Sequence, residues 1–149
     1  MIGGRLMLKI LLAVDGSASS KRALDHLIKQ VGVLKDEAEI HLLNVQHQIP
    51  YGSRVSSVVG HDRIAQFHRE EGMAALKTTM QQLDAARIKY HHHIGVGAEA
   101  EVICQYAREK GCDYIIMGTR GLGSVSNLVL GSVATKVIHL SPVPVLLVK

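Results

Sequence analysis

Leu8-Lys-Ile-Leu-Leu-Ala-Val-Asp15 is a nearly continuous apolar run, of strand length, that ends on a carboxylate. A strand with one wet face alternates apolar and polar residues, whereas a central parallel strand covered on both faces has no need to. The run therefore predicts a central strand of a parallel sheet. The next segment changes period. Ser17, Ser19 and Ser20 offer N-cap oxygens, and Ala23, Leu24, Leu27, Ile28 and Val31 recur on one helical face, with Gly32 as the expected stop.

The same alternation continues outward. Residues 39–46 read as a second strand, followed by a polar loop marked by Pro50, Gly52, Ser53, Ser56, Ser57 and Gly60. Long loops in compact domains are often functional, so this one is the expected moving part. Residues 62–87 predict a long helix whose stripe includes Ile64, Phe67, Ala74, Ala75 and Leu83, and 89–95 a third strand carrying three histidines. Residues 99–110 predict a helix stopped by Gly111, 113–118 a fourth buried strand, 132–140 a last helix, and 145–148 a final strand after Pro142 and Pro144. The sum is β-α-β-α-β-α-β-α-β, an α/β doubly wound parallel five-stranded sheet with helices on both faces. Over 149 residues it is expected to form a single domain.

Composition narrows the function. Hydrophobic residues make up 47% and charged residues 20%, as in a packed globular domain. Cys104 and Cys112 form no CxxC pair, which argues against a disulfide framework or zinc knuckle. Met1 to Met7 lacks the apolar core of a signal peptide and no run is long enough for a membrane span, so the expected location is the cytoplasm. A formal charge of +4, spread without like-charge runs, would attract an anionic ligand. With one Phe, no Trp and no basic cluster, nucleic acid is not the expected partner.

Ligands of open parallel sheets bind beyond the carboxyl ends of the strands. There the chain reads Gly118-Thr-Arg-Gly121-Leu-Gly-Ser-Val-Ser-Asn-Leu-Val-Leu-Gly131-Ser132. Glycines let backbone N–H groups approach a phosphate, and Gly131-Ser132 opens a helix whose N-terminus favours an anion. Ser132 and Ser124 can add hydroxyl donors and Arg120 a guanidinium. No GxxxxGK[ST] is present, and Gly121-Leu-Gly123 fails as a dinucleotide fingerprint because Ser126 replaces the last glycine.

Gly118, two residues, Gly121, nine residues, then Gly131-Ser132 resembles the nucleotide-binding pattern of ATP-binding universal stress proteins. Leu11-Leu-Ala-Val-Asp15-Gly-Ser17, Leu42-Leu-Asn-Val45 and Ser141-Pro-Val-Pro-Val-Leu-Leu-Val148 are similar to that family's first, second and last strands. The resemblance implies strand order 3-2-1-4-5, an adenine nucleotide (ATP or AMP, with magnesium as a companion of ATP), and a homodimer paired through the last strand. It also implies site roles. Asp15 would bond the adenosine, Ala13, Val14 and Val45 would line the adenine pocket with Met117 in its wall, and Gly118, Arg120, Gly121, Gly123, Gly131 and Ser132 would hold phosphate. Two departures stand out: Glu99 occupies a position where many members have proline, and Arg120 one where many have histidine.

Three functions follow: a nucleotide-responsive regulatory module acting on a protein partner, a slow ATP hydrolase or phosphotransfer enzyme, and an interaction protein with a vestigial pocket. The intact glycine frame argues against the third, and for the second only the phosphate cradle and Arg120 are visible. Other features carry plainer readings. Of His91-His92-His93 only His91 and His93 share a strand face, so a polar edge strand is expected rather than a metal site. Ser17 lacks a GxSxG context and reads as a helix cap. Lys136, one turn into the last helix, is left out of the site.

Overall fold

A computed structural model describes residues 7–34, 37–50, 54, 58, 60–122 and 130–149. The strands are β1 (Leu8–Ala13), β2 (Ala38–Gln46), β3 (Tyr90–Val96), β4 (Tyr114–Gly118) and β5 (Val145–Val148). All neighbours run parallel, in the order β3-β2-β1-β4-β5. The helices used below are α1 (Ala18–Leu34), α2 (His61–Ala85), α3 (Glu99–Glu109) and α4 (Ser132–Leu140).

β1 shows why its sequence does not alternate. Ile10 and Leu12 point into one core with Leu24, Leu27, Leu76 and Leu83 of α1 and α2. Leu11 points into the other, with Ile103 and Ala107 of α3 and Val137 of α4. All three β1 side chains have no exposed surface, so the strand is sealed on both faces. Among the described residues no helix is long and apolar enough to cross a membrane.

Helix ends follow the sequence except once. Ser17 Oγ accepts from Ser20 N at 3.1 Å, a side-chain N-cap for α1. Gly111, at φ 64°, closes α3, with Cys112 N donating to the Ala107 carbonyl at 2.9 Å. Gly32 does not stop α1, which continues to Leu34; as an interior residue it weakens the last turn without breaking it. α2 also differs in its inward stripe, which is His68, Gly72, Leu76, Thr79 and Leu83, while Phe67 is half exposed. A glycine, a histidine and a threonine at inward positions hid that face from a hydrophobicity reading.

The histidines of β3 lie on an edge strand, as its polarity suggested. His91 approaches the His41 ring at 5.1 Å between centroids, and His93 stacks on Tyr106 at 5.4 Å. Among the described residues no group of three or more His, Cys, Asp or Glu could hold a metal ion. His41 itself is buried. Its Nε2 lies 2.8 Å from Glu39 Oε1 and its Nδ1 2.9 Å from Tyr106 Oη. A neutral ring satisfies both, donating from Nε2 to the carboxylate and accepting from the phenol.

Burial pushes the His41 imidazole below its ordinary value of 6.5, an effect that Glu39 only partly offsets. The bond from His41 is the main cause holding the Glu39 carboxyl below 4.5. Both pKa values fall on folding, so the stability they confer is present at high pH. The His41 share declines as pH drops below 6.5 and the Glu39 share below 4.5. The His41 ring followed by NMR should titrate with a midpoint under 6.5; a midpoint above that value would mean that Glu39 outweighs burial.

Candidate functional site

The sheet order reverses at β1, whose two neighbours are β2 and β4. Beyond their carboxyl ends lies a cavity of about 580 Å³. Its walls combine the exits of β1, β2 and β4 with the first turns of α3 and α4.

The β1 exit is held by short polar side chains. Asp15 Oδ1 accepts from Ser17 N at 2.8 Å, and Ser20 Oγ accepts from Asp15 N at 3.3 Å. This fixes the carboxylate at the cavity edge. Val14 N donates to the Leu43 carbonyl at 2.9 Å, and Asn44 Nδ2 donates to the Val14 carbonyl at 2.8 Å. Gln46 in turn donates to Asn44 Oδ1 at 2.6 Å. The Val14 backbone is thus engaged within the fold and its side chain is buried, although the residue borders the cavity.

The β4 exit forms a cradle. Gly131 N donates to the Thr119 carbonyl at 2.6 Å, joining the loop after β4 to the start of α4. Arg120 N donates to Ser19 Oγ at 3.3 Å, and Ser17 Oγ donates to the Arg120 carbonyl at 3.4 Å. α4 begins after Gly131 with no side-chain cap among the described residues, and its first amides and dipole face the cavity end that suits an anion. Thr119 lines the cavity too, and its buried Oγ1 has no hydrogen-bond partner among the described residues.

Two glycines of the cradle sit in close contact. A Cβ on Gly121 would stand 2.8 Å from Asp15 Oδ2, so the carboxylate and the bare Cα pack directly together. A Cβ on Gly131 would stand 3.3 Å from both Arg120 Cα and the Thr119 carbonyl oxygen. Gly118 borders the cavity, but the atom it lacks would fall on the α1 side, 2.6 Å from the Ser19 carbonyl carbon.

Ala13, Val45 and Met117 line the cavity, as do Arg120, Gly121, Gly131 and Ser132. Gly123 and Ser124, and most of the loop between Pro50 and Gly60, lie outside the described residues. Lys136 pairs instead with Glu101 at 2.7 Å. The sequence reading missed Thr119, Asn44, His47, Glu71 and Glu99, all of which border the cavity. Asn44 carried a signal, as an amide inside the apolar run Leu42-Leu-Asn-Val45. Glu99 Oε1 lies 2.8 Å from His47 Nε2, an ion pair when the imidazole is protonated. Burial pushes the Glu99 carboxyl above the ordinary range; His47 offsets part of that and the charge of Asp15 adds to it.

The model of the universal stress protein family matches residues 7–149. The chain belongs to the universal stress protein family. It is 32% identical to the universal stress protein MJ0531 of Methanocaldococcus jannaschii, over 99% of this chain and 85% of that protein. The solved structure of MJ0577, a universal stress protein of the same organism, superposes with a TM-score of 0.79 at 30% identity, covering 97% of this chain and 96% of that one. A universal stress protein family member from Arabidopsis thaliana, solved with AMP bound, shares the fold at 24% identity and a TM-score of 0.68, over 95% and 91% of the two chains. As in these universal stress proteins, the five strands take the order expected from the sequence.

Proposed function

We propose that the protein binds an adenine nucleotide in this cavity and acts as a nucleotide-responsive regulatory module. The observation that carries the reading is the division of one cavity into chemically different parts. The glycine cradle, the α4 N-terminus and Arg120 suit phosphate. Asp15, a carboxylate beside that cradle, would repel phosphate and suits the neutral ribose hydroxyls. Ala13, Val45, Leu43 and Ile103 form an apolar slot for a flat base. Thr119 Oγ1 supplies an unused hydroxyl at the phosphate end. The AMP-bound Arabidopsis relative supports the ligand class for this fold.

Magnesium would accompany a triphosphate, held through its oxygens. β5 is a sheet edge with Leu146 exposed, which suits pairing with a second copy. Cys104 and Cys112 are free and buried, in keeping with a reducing cytoplasm.

Nucleotide released from denatured, freshly purified protein should be identified by mass spectrometry, and the emptied protein titrated with ATP, ADP and AMP by calorimetry. Tight binding without phosphate release is the expected result, and sustained release would establish a hydrolase. Asp15→Ala should weaken AMP about tenfold, as expected for loss of a charged hydrogen-bond acceptor. No binding of any of the three overturns the reading.

A further inference from the structure

The cavity has a far end that the phosphate and ribose do not use. Its parts follow the order of the strands: the cradle lies at the exit of β4, Asp15 at the exit of β1, and His47 at the exit of β2. A nucleotide whose phosphates occupy the cradle and whose ribose meets Asp15 therefore points its base toward His47. Glu99, in the first turn of α3, closes that end from the other side of the slot. His47 Nε2 and Glu99 Oε1 approach to 2.8 Å across the two walls, and the Glu99 side chain is 24% exposed against 83% for His47. The imidazole is the outer tether and the carboxylate the inner group.

We propose that Glu99, positioned by His47, is the residue that selects the base, accepting a hydrogen bond from a 6-amino purine and repelling a 6-oxo purine. An ionised carboxylate can only accept. Adenine presents an N–H donor at its 6-position, whereas hypoxanthine and guanine present a carbonyl oxygen there. A charge-assisted bond with the first becomes an acceptor–acceptor clash with the second. With Oε1 beside His47, the other carboxylate oxygen is the one placed to meet the base. The inference rests on the nucleotide reading above and adds to it the residue that carries specificity.

AMP and IMP, which share ribose and phosphate, separate the two claims in calorimetric titrations of the parent, Glu99→Ala and Glu99→Gln. The parent should bind AMP at least about tenfold tighter than IMP. Glu99→Ala should weaken AMP, strengthen IMP by removing the clash, and bring the ratio toward one. Glu99→Gln, whose amide can donate to a 6-oxo group as well as accept, should gain IMP affinity, an effect that a merely structural role would not produce. An AMP/IMP ratio unchanged in Glu99→Gln overturns the assignment while AMP binding itself stands, and this near-isosteric variant decides the matter if Glu99→Ala does not fold. A changed preference for AMP over 2′-deoxy-AMP, with the AMP/IMP ratio kept, also overturns it by placing Glu99 at the ribose. Binding of neither AMP nor IMP by the parent would fail the nucleotide reading and this one together.

Discussion

Gly118→Ala is expected to destabilise the protein by about 3 kcal/mol, the upper part of the range for overpacking a close contact. The added Cβ would stand 2.6 Å from the Ser19 carbonyl carbon and would also collide with the Ser19 side chain. Neither can step aside cheaply. Ser19 lies in the first turn of α1, and its Oγ accepts from Arg120 N and donates to the Val148 carbonyl. Relief would require α1 to move off β4, opening the core around Leu24 and Ile116. Urea unfolding should show a lower midpoint with an unchanged slope. A loss below about 1 kcal/mol would mean that the α1–β4 spacing relaxes freely. The sequence reading grouped Gly118 with the phosphate positions; the contact gives its missing side chain a packing reason as well.

Gly131→Val should reduce affinity for AMP at least about thirtyfold, equivalent to roughly 2 kcal/mol or the loss of one strong charged hydrogen bond. The position is extended, φ −74° and ψ 166°, so backbone strain is not the cause. The cause is space. A Cβ would already stand 3.3 Å from the Thr119 carbonyl oxygen and Arg120 Cα, and the two methyl groups of valine must go into the gap between the halves of the cradle. Calorimetry read beside an unfolding curve separates the two effects, because α4 is anchored through Ala134 and Val137 and should keep most of its stability. Undiminished AMP affinity in a folded Gly131→Val protein would remove the cradle from the binding site.

The parts of the fold that could be read from the sequence are those where burial leaves little choice of residue. β1 and β4 are apolar throughout because helices cover both their faces. The strand order came from the family resemblance, since periodicity alone does not state which strands are neighbours. α2 was located but its face misread, because His68, Gly72 and Thr79 occupy positions where a stripe would have shown leucine or valine. The cradle was legible because its glycines and serine lie on one continuous stretch of chain with fixed spacing. The His47–Glu99 pair was not, since its members come from different elements fifty-two positions apart and only the fold brings them within 2.8 Å. Glu99, standing where the family resemblance implies proline, was the single hint.

The Val148 oxygen accepts from Thr119 N at 3.1 Å and from Ser19 Oγ at 3.4 Å. It pins the loop after β4 and the start of α1 to the outermost strand at a single point. Fraying of β5 therefore releases Thr119 N, while the Thr119 carbonyl stays bonded to Gly131 N. Thermal looseness at a sheet edge is in this way delivered directly to a ligand loop, and whatever clamps that edge also stiffens the loop.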